Sequence, residues 1–441
     1  HAMLSTSRSS RLGEAAVPTA LQASRVRWRI FAIIFGLTVI NLVDRVSLSI
    51  AMPTIAREFQ LTPATQGLIL SSFFWAYALL QIPGGWLIDR YGPRRVIGWS
   101  TGLWGVFQTL AAFATGGLSL IFARVALGAA EAPLFPAGGK LNSLWLASSE
   151  RGRGAVLMDC GGPLGVALGG LLIAYLIAVF GSWRTAFFIA GIATLAMAWL
   201  AWRYLRDDPA AHPGVNAAEL ARINEGRTTS VAQAAKAGAR GLGIARRSLA
   251  GILIGRASWA MVFFGLLTWG PSYLAQARGF DIKGIGAATF VIFLCGAAGS
   301  LVGGFLCDLL VRKGVRRGLA AKGLLSCSGL VALAAFLLLP RLTDPYAAVA
   351  LLSLTPFFLM WGSLYWSFPA LLAVPARVGL IGGVMNLAGS LGGIAVPILV
   401  GLLLQHLGGY PAVLGFFALC SGLFILGTLL IVLDQREVQH G

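Results

Sequence analysis

Gly84-Gly85-Trp86-Leu87-Ile88-Asp89-Arg90-Tyr91-Gly92-Pro93-Arg94-Arg95 is a densely charged turn wedged between two long apolar runs, 66–88 and 96–115. A run of about 20 apolar residues is what a helix needs to cross a bilayer. Working outward from this turn, ten further runs of that kind appear. The full set is 28–52, 66–88, 96–115, 118–140, 154–179, 184–204, 250–275, 285–311, 318–339, 346–371, 378–404 and 410–433. They are called spans 1 to 12 below. The fold class this predicts is an all-α polytopic membrane protein of twelve transmembrane helices in two six-helix bundles. The first run lacks a short apolar core followed by a small-residue cleavage site, so it reads as a retained helix.

Composition agrees. The 441 residues are 57% hydrophobic and only 11% charged, with a mean hydropathy of +0.80, where a soluble domain carries roughly 25% charged residues. The solvent for most of this chain must be lipid. Fifty-seven glycines suit helices that pack closely inside a membrane.

The net charge of +18 is a matter of placement. With the N-terminus put inside, the connections on the outer side carry only Arg57, Arg184, Arg278, Lys283 and Arg341, and nearly all other cations fall inside. That asymmetry is the positive-inside rule, and it predicts cytoplasmic termini. No basic stretch interleaves with aromatics, so no nucleic-acid partner is expected. The five cysteines lie in apolar runs without metal or redox spacing. No Ser/His/Asp set, metal-ligand cluster or phosphate loop appears, so neither an enzyme nor a metal or other cofactor is expected.

The longest polar interruption, 206–248, parts the spans six and six. The predicted organisation is a tail 1–27, a first bundle 28–205, a linker 206–248, a second bundle 249–434 and a tail 435–441. Within the linker, Asn216-Ala-Ala-Glu219 reads as a capping box opening a short surface helix to about Glu225. The opening turn has a partner at the end of span 8: Gly303-Gly304-Phe-Leu-Cys-Asp308, followed by Arg312, Lys313, Arg316 and Arg317. Parallel repeats of this sort place substrate near the midplane, between the halves.

Charges inside the spans are costly and mark function by default. Asp44 and Arg45 lie about two-thirds along span 1; Arg124 and Glu131 lie in span 4. Seven residues of helix put Arg124 and Glu131 on one face about 10 Å apart in rise, too far for a direct pair. Each needs a partner on another helix, and the natural pairings are Glu131 with Arg45 and Asp44 with Arg124. Read as structure, the four form an ion-pair network joining spans 1 and 4. Read as function, they set up a competition. Ionised Asp44 and Glu131 occupy the arginines; protonated, they release the guanidinium forks, which bind a carboxylate bidentately. Protons and an organic anion then load together.

Asp159 opens span 5 as either a third titrating group or a wetted residue at the mouth. Arg256, early in span 7, is either a further cation for a dicarboxylate or gate, or a side chain that snorkels to the interface. Tyr77, Gln81, Tyr365 and Asn386 are candidate substrate contacts; Tyr273, Trp366 and Ser367 are weaker ones, since membrane aromatics also serve as packing and interfacial belt.

The run Gly85-x-Leu87-x-Asp89-Arg90-x-Gly92-x-Arg94-Arg95 resembles the signature loop of the major facilitator superfamily. Gly85 is expected to let two helices approach, and Asp89 to face a helix N-terminus and nearby arginines. The resemblance implies that this gating motif, with its counterpart at Asp308, latches the inner ends of the halves. A narrower resemblance rests on Asn41-Leu-Val-Asp44-Arg45, Tyr77-Ala-Leu-Leu-Gln81-Ile-Pro83, Arg124-x-x-x-Gly128-x-x-Glu131-x-Pro133, Leu267-Thr-Trp-Gly-Pro271-Ser-Tyr273, Asn386 with its following glycines, and Pro209-Ala-Ala-His212-Pro213. Over nearly the whole chain it is similar to the anion:cation symporter family, which includes bacterial sugar-acid carriers of the D-galactonate type. That implies proton symport of a carboxylate at a bacterial inner membrane, with Asp44 and Glu131 as proton sites and Arg45 and Arg124 as anion sites. Leu42 and Gly162 stand where members carry polar side chains, which favours a less hydroxylated anion. The partners expected are a small organic carboxylate, protons and the lipid bilayer, with the chain as a monomer. The competing expectation is a proton-coupled exporter of a drug or metabolite on the same fold.

Overall fold

The computed structural model describes residues 23–147, 150–225, 244–372 and 378–433; both predicted tails lie largely outside them. Among these residues there is no strand. The spans are Val26–Glu58, Pro63–Tyr91, Pro93–Ala111, Gly117–Glu131 continued by Leu134–Trp145, Arg151–Phe180 and Trp183–Tyr204 in the first half. In the second half they are Arg246–Arg278, Ile282–Arg312, Arg317–Leu338, Pro345–Leu359, Val378–Leu407 and Tyr410–Leu430. Eleven of the twelve are long and apolar enough to cross a membrane by length and composition. The exception is span 3, at 19 residues, which starts with Arg94 and Arg95 and buries Ser100, Thr101 and Gln108 against its neighbours. Leu79, Phe113, Phe122, Phe305 and Leu419 stand exposed on the outer faces, as lipid-facing residues do.

Two spans are interrupted. In span 4, Pro133 lacks an N–H and its ring crowds the preceding turn, and the helix breaks just after Glu131. In span 10 the helix tightens at Met360–Ser367 into a 3₁₀ segment, unusually long for that geometry, before Phe368–Leu372.

Small residues set the spacing of the helices. Gly161, Gly165 and Gly169 form one stripe of span 5 against span 1, and a Cβ on Gly165 would sit 2.5 Å from the Val39 carbonyl oxygen. Glycines also close one end of the molecule, where a Cβ on Gly401 of span 11 would meet the Pro63 carbonyl at 2.5 Å. Ala64 N–H donates to Gln405 there (3.2 Å), and Ser71 hydroxyl to the Ile394 carbonyl (2.7 Å). Spans 2 and 11 are thus tightly joined across the halves, and Gly286 of span 8 sits equally close to span 5 at Gly170 and Ala174.

The opposite end, which carries the signature loop, is arranged differently from the sequence expectation. Gly85 has open space around its Cβ position, whereas Gly84 abuts Pro133 at 3.3 Å; the close approach belongs to the first glycine of the pair. Asp89 pairs with Lys140 (3.0 Å), both side chains well exposed. Asp308 pairs with Arg317 at 3.0 Å. Each pair lies within its own half. Arg90 lies over Trp86 and Tyr91, and Arg94 over Trp202. Gly92 takes φ +84°, a region that penalises any side chain, and Asp207 fills the space beside it and accepts from Arg94 N–H at 2.7 Å.

Asn216 caps the linker helix Ala217–Asn224 by accepting from Glu219 N–H (2.9 Å). The reciprocal half of the capping box does not form. The Glu219 carboxylate is fully buried and turns to span 1, accepting from the N–H groups of Val26 (3.1 Å) and Arg27 (3.0 Å) and from the Arg27 guanidinium (3.0 Å). Arg27 also pairs with Glu150 (3.0 Å). A residue far along the chain therefore caps the first span, satisfying N–H groups that a helix start leaves open. Glu219→Ala should uncap span 1 and leave Arg27 with Glu150 alone, at a cost of about 1–3 kcal/mol. The check is the thermal unfolding midpoint of detergent-purified protein, which should fall clearly, while Glu225→Ala leaves it unchanged.

Candidate functional site

Span 1 carries Asn41, Asp44 and Arg45 within little more than one helical turn, so its buried face presents an amide, an acid and a cation together. Glu131 comes to this face because span 4 breaks directly behind it. Arg45 Nε donates to Glu131 Oε2 at 3.1 Å, and Asn41 Nδ2 donates to the same oxygen at 2.6 Å. Glu131 is fully buried and Arg45 only 6% exposed. The expected Arg45–Glu131 partnership is present.

The second expected pairing is not. Asp44 turns toward spans 3 and 6, where Oδ2 accepts from Trp104 Nε1 (2.6 Å) and Thr194 Oγ1 (3.0 Å). Arg124 Nη1 reaches the Asp44 backbone carbonyl at 3.2 Å rather than its carboxylate. The reason is the order of side chains on span 1. Residues 44 and 45 point about 100° apart on a helix, so when Arg45 faces Glu131, Asp44 faces the helices beside it.

Phe73 ties the arginines together. The Arg45 guanidinium lies 4.5 Å from the ring centroids of both Phe73 and Tyr77, and that of Arg124 lies 5.2 Å from Phe73. Aromatic faces hold a cation without neutralising it, so each guanidinium keeps hydrogen-bonding capacity. Arg45 Nη2, Arg124 Nε, Asp44 Oδ1 and Glu131 Oε1 are buried with no hydrogen-bond partner among the described residues. Four unspent polar atoms in so small a volume are costly as architecture.

Between the halves, at the end of the signature loop, lies a cavity of about 690 Å³. Its charged walls are Arg45 and Asp159 from the first half and Arg256 from the second; Tyr77, Gln81, Trp366 and Asn386 line it too. Asn386 Nδ2 donates to Gln81 Oε1 at 2.9 Å, a contact across the halves. Arg256 lies in an aromatic corner, its guanidinium 4.2 Å from the Trp259 ring and 5.5 Å from that of Trp366. Leu42 and Gly162 also face this space.

Other candidates lie elsewhere. Tyr365 is fully buried and shares a hydrogen bond with Thr428 (2.7 Å), pressed against Gly255 and away from the cavity. Tyr273 accepts from Arg278 Nε (2.7 Å) and packs on Tyr410. Ser367 donates to the Leu364 carbonyl (2.6 Å). Asp44, Arg124 and Glu131 sit behind the wall, with Arg45 between them and the cavity.

Among known protein families, the model of the Major Facilitator Superfamily matches residues 34–397. The chain belongs to that superfamily. It is a membrane transporter and not an enzyme. Relatives include the D-galactonate transporter of Escherichia coli O6:H1, 34% identical over 428 residues, covering 95% of this chain and 98% of that protein. The "Probable galactarate/D-glucarate transporter GarP" of Escherichia coli K12 is 32% identical over 425 residues, covering 93% and 95%. The "Probable sulfoacetate transporter SauU" of Cupriavidus necator is 33% identical over 430 residues, covering 95% and 98%. In fold, the transporter matches a bacterial homologue of the human lysosomal transporter Spinster, in an inward-facing and occupied conformation, with a TM-score of 0.67 at 16% identity over 92% of this chain and 94% of that one.

Sequence reasoning passed over Phe73, Trp104 and Thr194. Asn41 was legible as part of a motif, but its bond to Glu131 was not. A double-mutant cycle of Trp104→Phe and Asp44→Asn tests the Asp44 site. The sum of the two single losses should differ from the double-mutant loss by about 1 kcal/mol, the size of a typical hydrogen bond; unfolding midpoints of the three variants read it.

Proposed function

We propose that this transporter takes up an organic carboxylate by proton symport, through alternating access of its two halves. The observation that carries the reading is the double position of Arg45. Its side chain lines the cavity and keeps one buried N–H group without a partner among the described residues, and it is held from behind by the buried Glu131 carboxylate. A proton on Glu131 weakens that hold and turns the fork toward an arriving anion. Loss of the proton pulls the fork back and expels the anion. Arg124, also incompletely bonded but behind the cavity wall, is the second cation of the proposed anion site, reached once the Arg45 fork swings away from Glu131. Asp44 is the second proton site, and protonation of its unpartnered oxygen would loosen the registry of span 1 with spans 3 and 6.

The curated relatives are named for acidic cargo, either sugar acids or a sulfonated acid, which supports a small acid here. The apolar wall at Leu42 and Gly162 supports one with few hydroxyls. Two protons with a monovalent acid would move one net charge, worth about 2.3 kcal/mol per 100 mV. The proposed setting is a bacterial inner membrane, with the signature-loop end and both termini cytoplasmic; the cavity then opens inward. The signature loop and the Asp308 turn are proposed to meet across the halves when that end closes.

The test uses proteoliposomes with an imposed inward proton gradient and a panel of radiolabelled sugar acids, small dicarboxylates and sulfonated acids. At least one should accumulate, and more strongly as the loading side is acidified; no gradient-driven uptake of any acid ends the proposal. Glu131→Gln should abolish accumulation while exchange of internal for external acid persists. Arg124→Lys should lose about tenfold or more in apparent affinity, because a point charge cannot replace the planar fork.

A further inference from the structure

Asp159 and Arg256 belong to different halves, on spans 5 and 7, and both line the cavity. Among the described residues Arg256 Nε is buried without a hydrogen-bond partner, and its guanidinium rests on the rings of Trp259 and Trp366. Asp159 joins no ion pair among the described residues, and it is open to the cavity. Arg45, the third charge on the wall, already has Glu131. Among the described residues the cavity wall therefore holds one acid and one base without an ion-pair partner, each on a different half.

Such charges can remain apart only while water fills the space between them. When the two halves close over this end, the wall is dehydrated, and an isolated carboxylate or guanidinium becomes very costly. We propose that Asp159 is an internal stand-in for the acid group of the substrate: in the empty carrier it pairs with Arg256 across the halves and allows this end to close. A bound acid displaces it from Arg256, and the loaded carrier closes on the substrate instead. The same guanidinium thus serves both journeys, once with cargo and once without. The inference rests on the reading of the chain as a carboxylate carrier, but the closure of the empty protein can be measured with no ligand present.

That measurement is a spin-label distance across the open end. Ser143 of the first half and Lys313 of the second are exposed there, and Ser143→Cys with Lys313→Cys, in a background lacking the five native cysteines, supplies the labels. Pulsed double-resonance distances are recorded on substrate-free protein in lipid nanodiscs. The unaltered pair should give a short-distance population alongside a long one. Asp159→Asn should reduce the short population by about tenfold or more, and Arg256→Gln should do the same. The exchanged pair Asp159→Arg with Arg256→Asp should restore it, which mere loss of packing would not do. An unchanged distribution in Asp159→Asn, failure of the exchanged pair to restore closure, or absence of a short population in the unaltered protein overturns the proposal. Failure to find a transported acid would bear on the symport reading and not on this result.

Discussion

A buried guanidinium has to be held, and everything around the centre of this transporter follows from how Arg45 is held. One carboxylate, itself held by the Asn41 amide, and two aromatic rings converge on it. The carboxylate arrives only because Pro133 breaks span 4 immediately beyond Glu131. The rings arrive only because Gly128 lets span 4 lie against the backbone of Phe73 in span 2. A buried ion pair contributes little net stability against a well-packed apolar alternative. Its retention at the wall of a cavity fits the proposed release of Arg45 to an anion better than it fits a brace.

The molecule also shows how differently its two ends are joined. At the closed end, glycine stripes bring backbones of opposite halves into contact, and hydrogen bonds run directly between spans 2 and 11. At the other end, the ion pairs stay within each half: Asp89 with Lys140, Asp308 with Arg317. Contact across the cavity is lighter, by Gln81 with Asn386 and by the rings of Phe74 and Phe264. A hinge of close-packed helices at one end and separable polar groups at the other is the mechanical form that alternating exposure requires.

Much of this was legible in the sequence. The apolar runs, the charged turn repeated after span 8 and the four intramembrane charges were all readable, because a bilayer allows few ways of hiding polar groups. Seven residues of helix ruled out a partner for Glu131 within span 4 and made Arg45 a candidate, but the sequence alone could not fix the pairing. Asp44 was misplaced because its donors are an indole and a threonine, and such residues look like ordinary lining in a linear sequence. Gly84 and Gly85 are adjacent and chemically identical; only the helix phase decides which one meets Pro133. Tyr365 looked like a substrate contact, yet the 3₁₀ winding of its segment turns it toward span 12.

Glu219 sits in the polar stretch that joins the halves, but it is bonded as though it belonged to the first of them. The mechanical boundary between the two bundles consequently falls later than the chemical one, beyond Glu225 rather than at the start of the polar stretch. A transporter assembled from two separately expressed polypeptides should respect that boundary. A break after residue 225 leaves the first fragment with its own lid on span 1, while a break near residue 206 would send that lid away with the wrong partner.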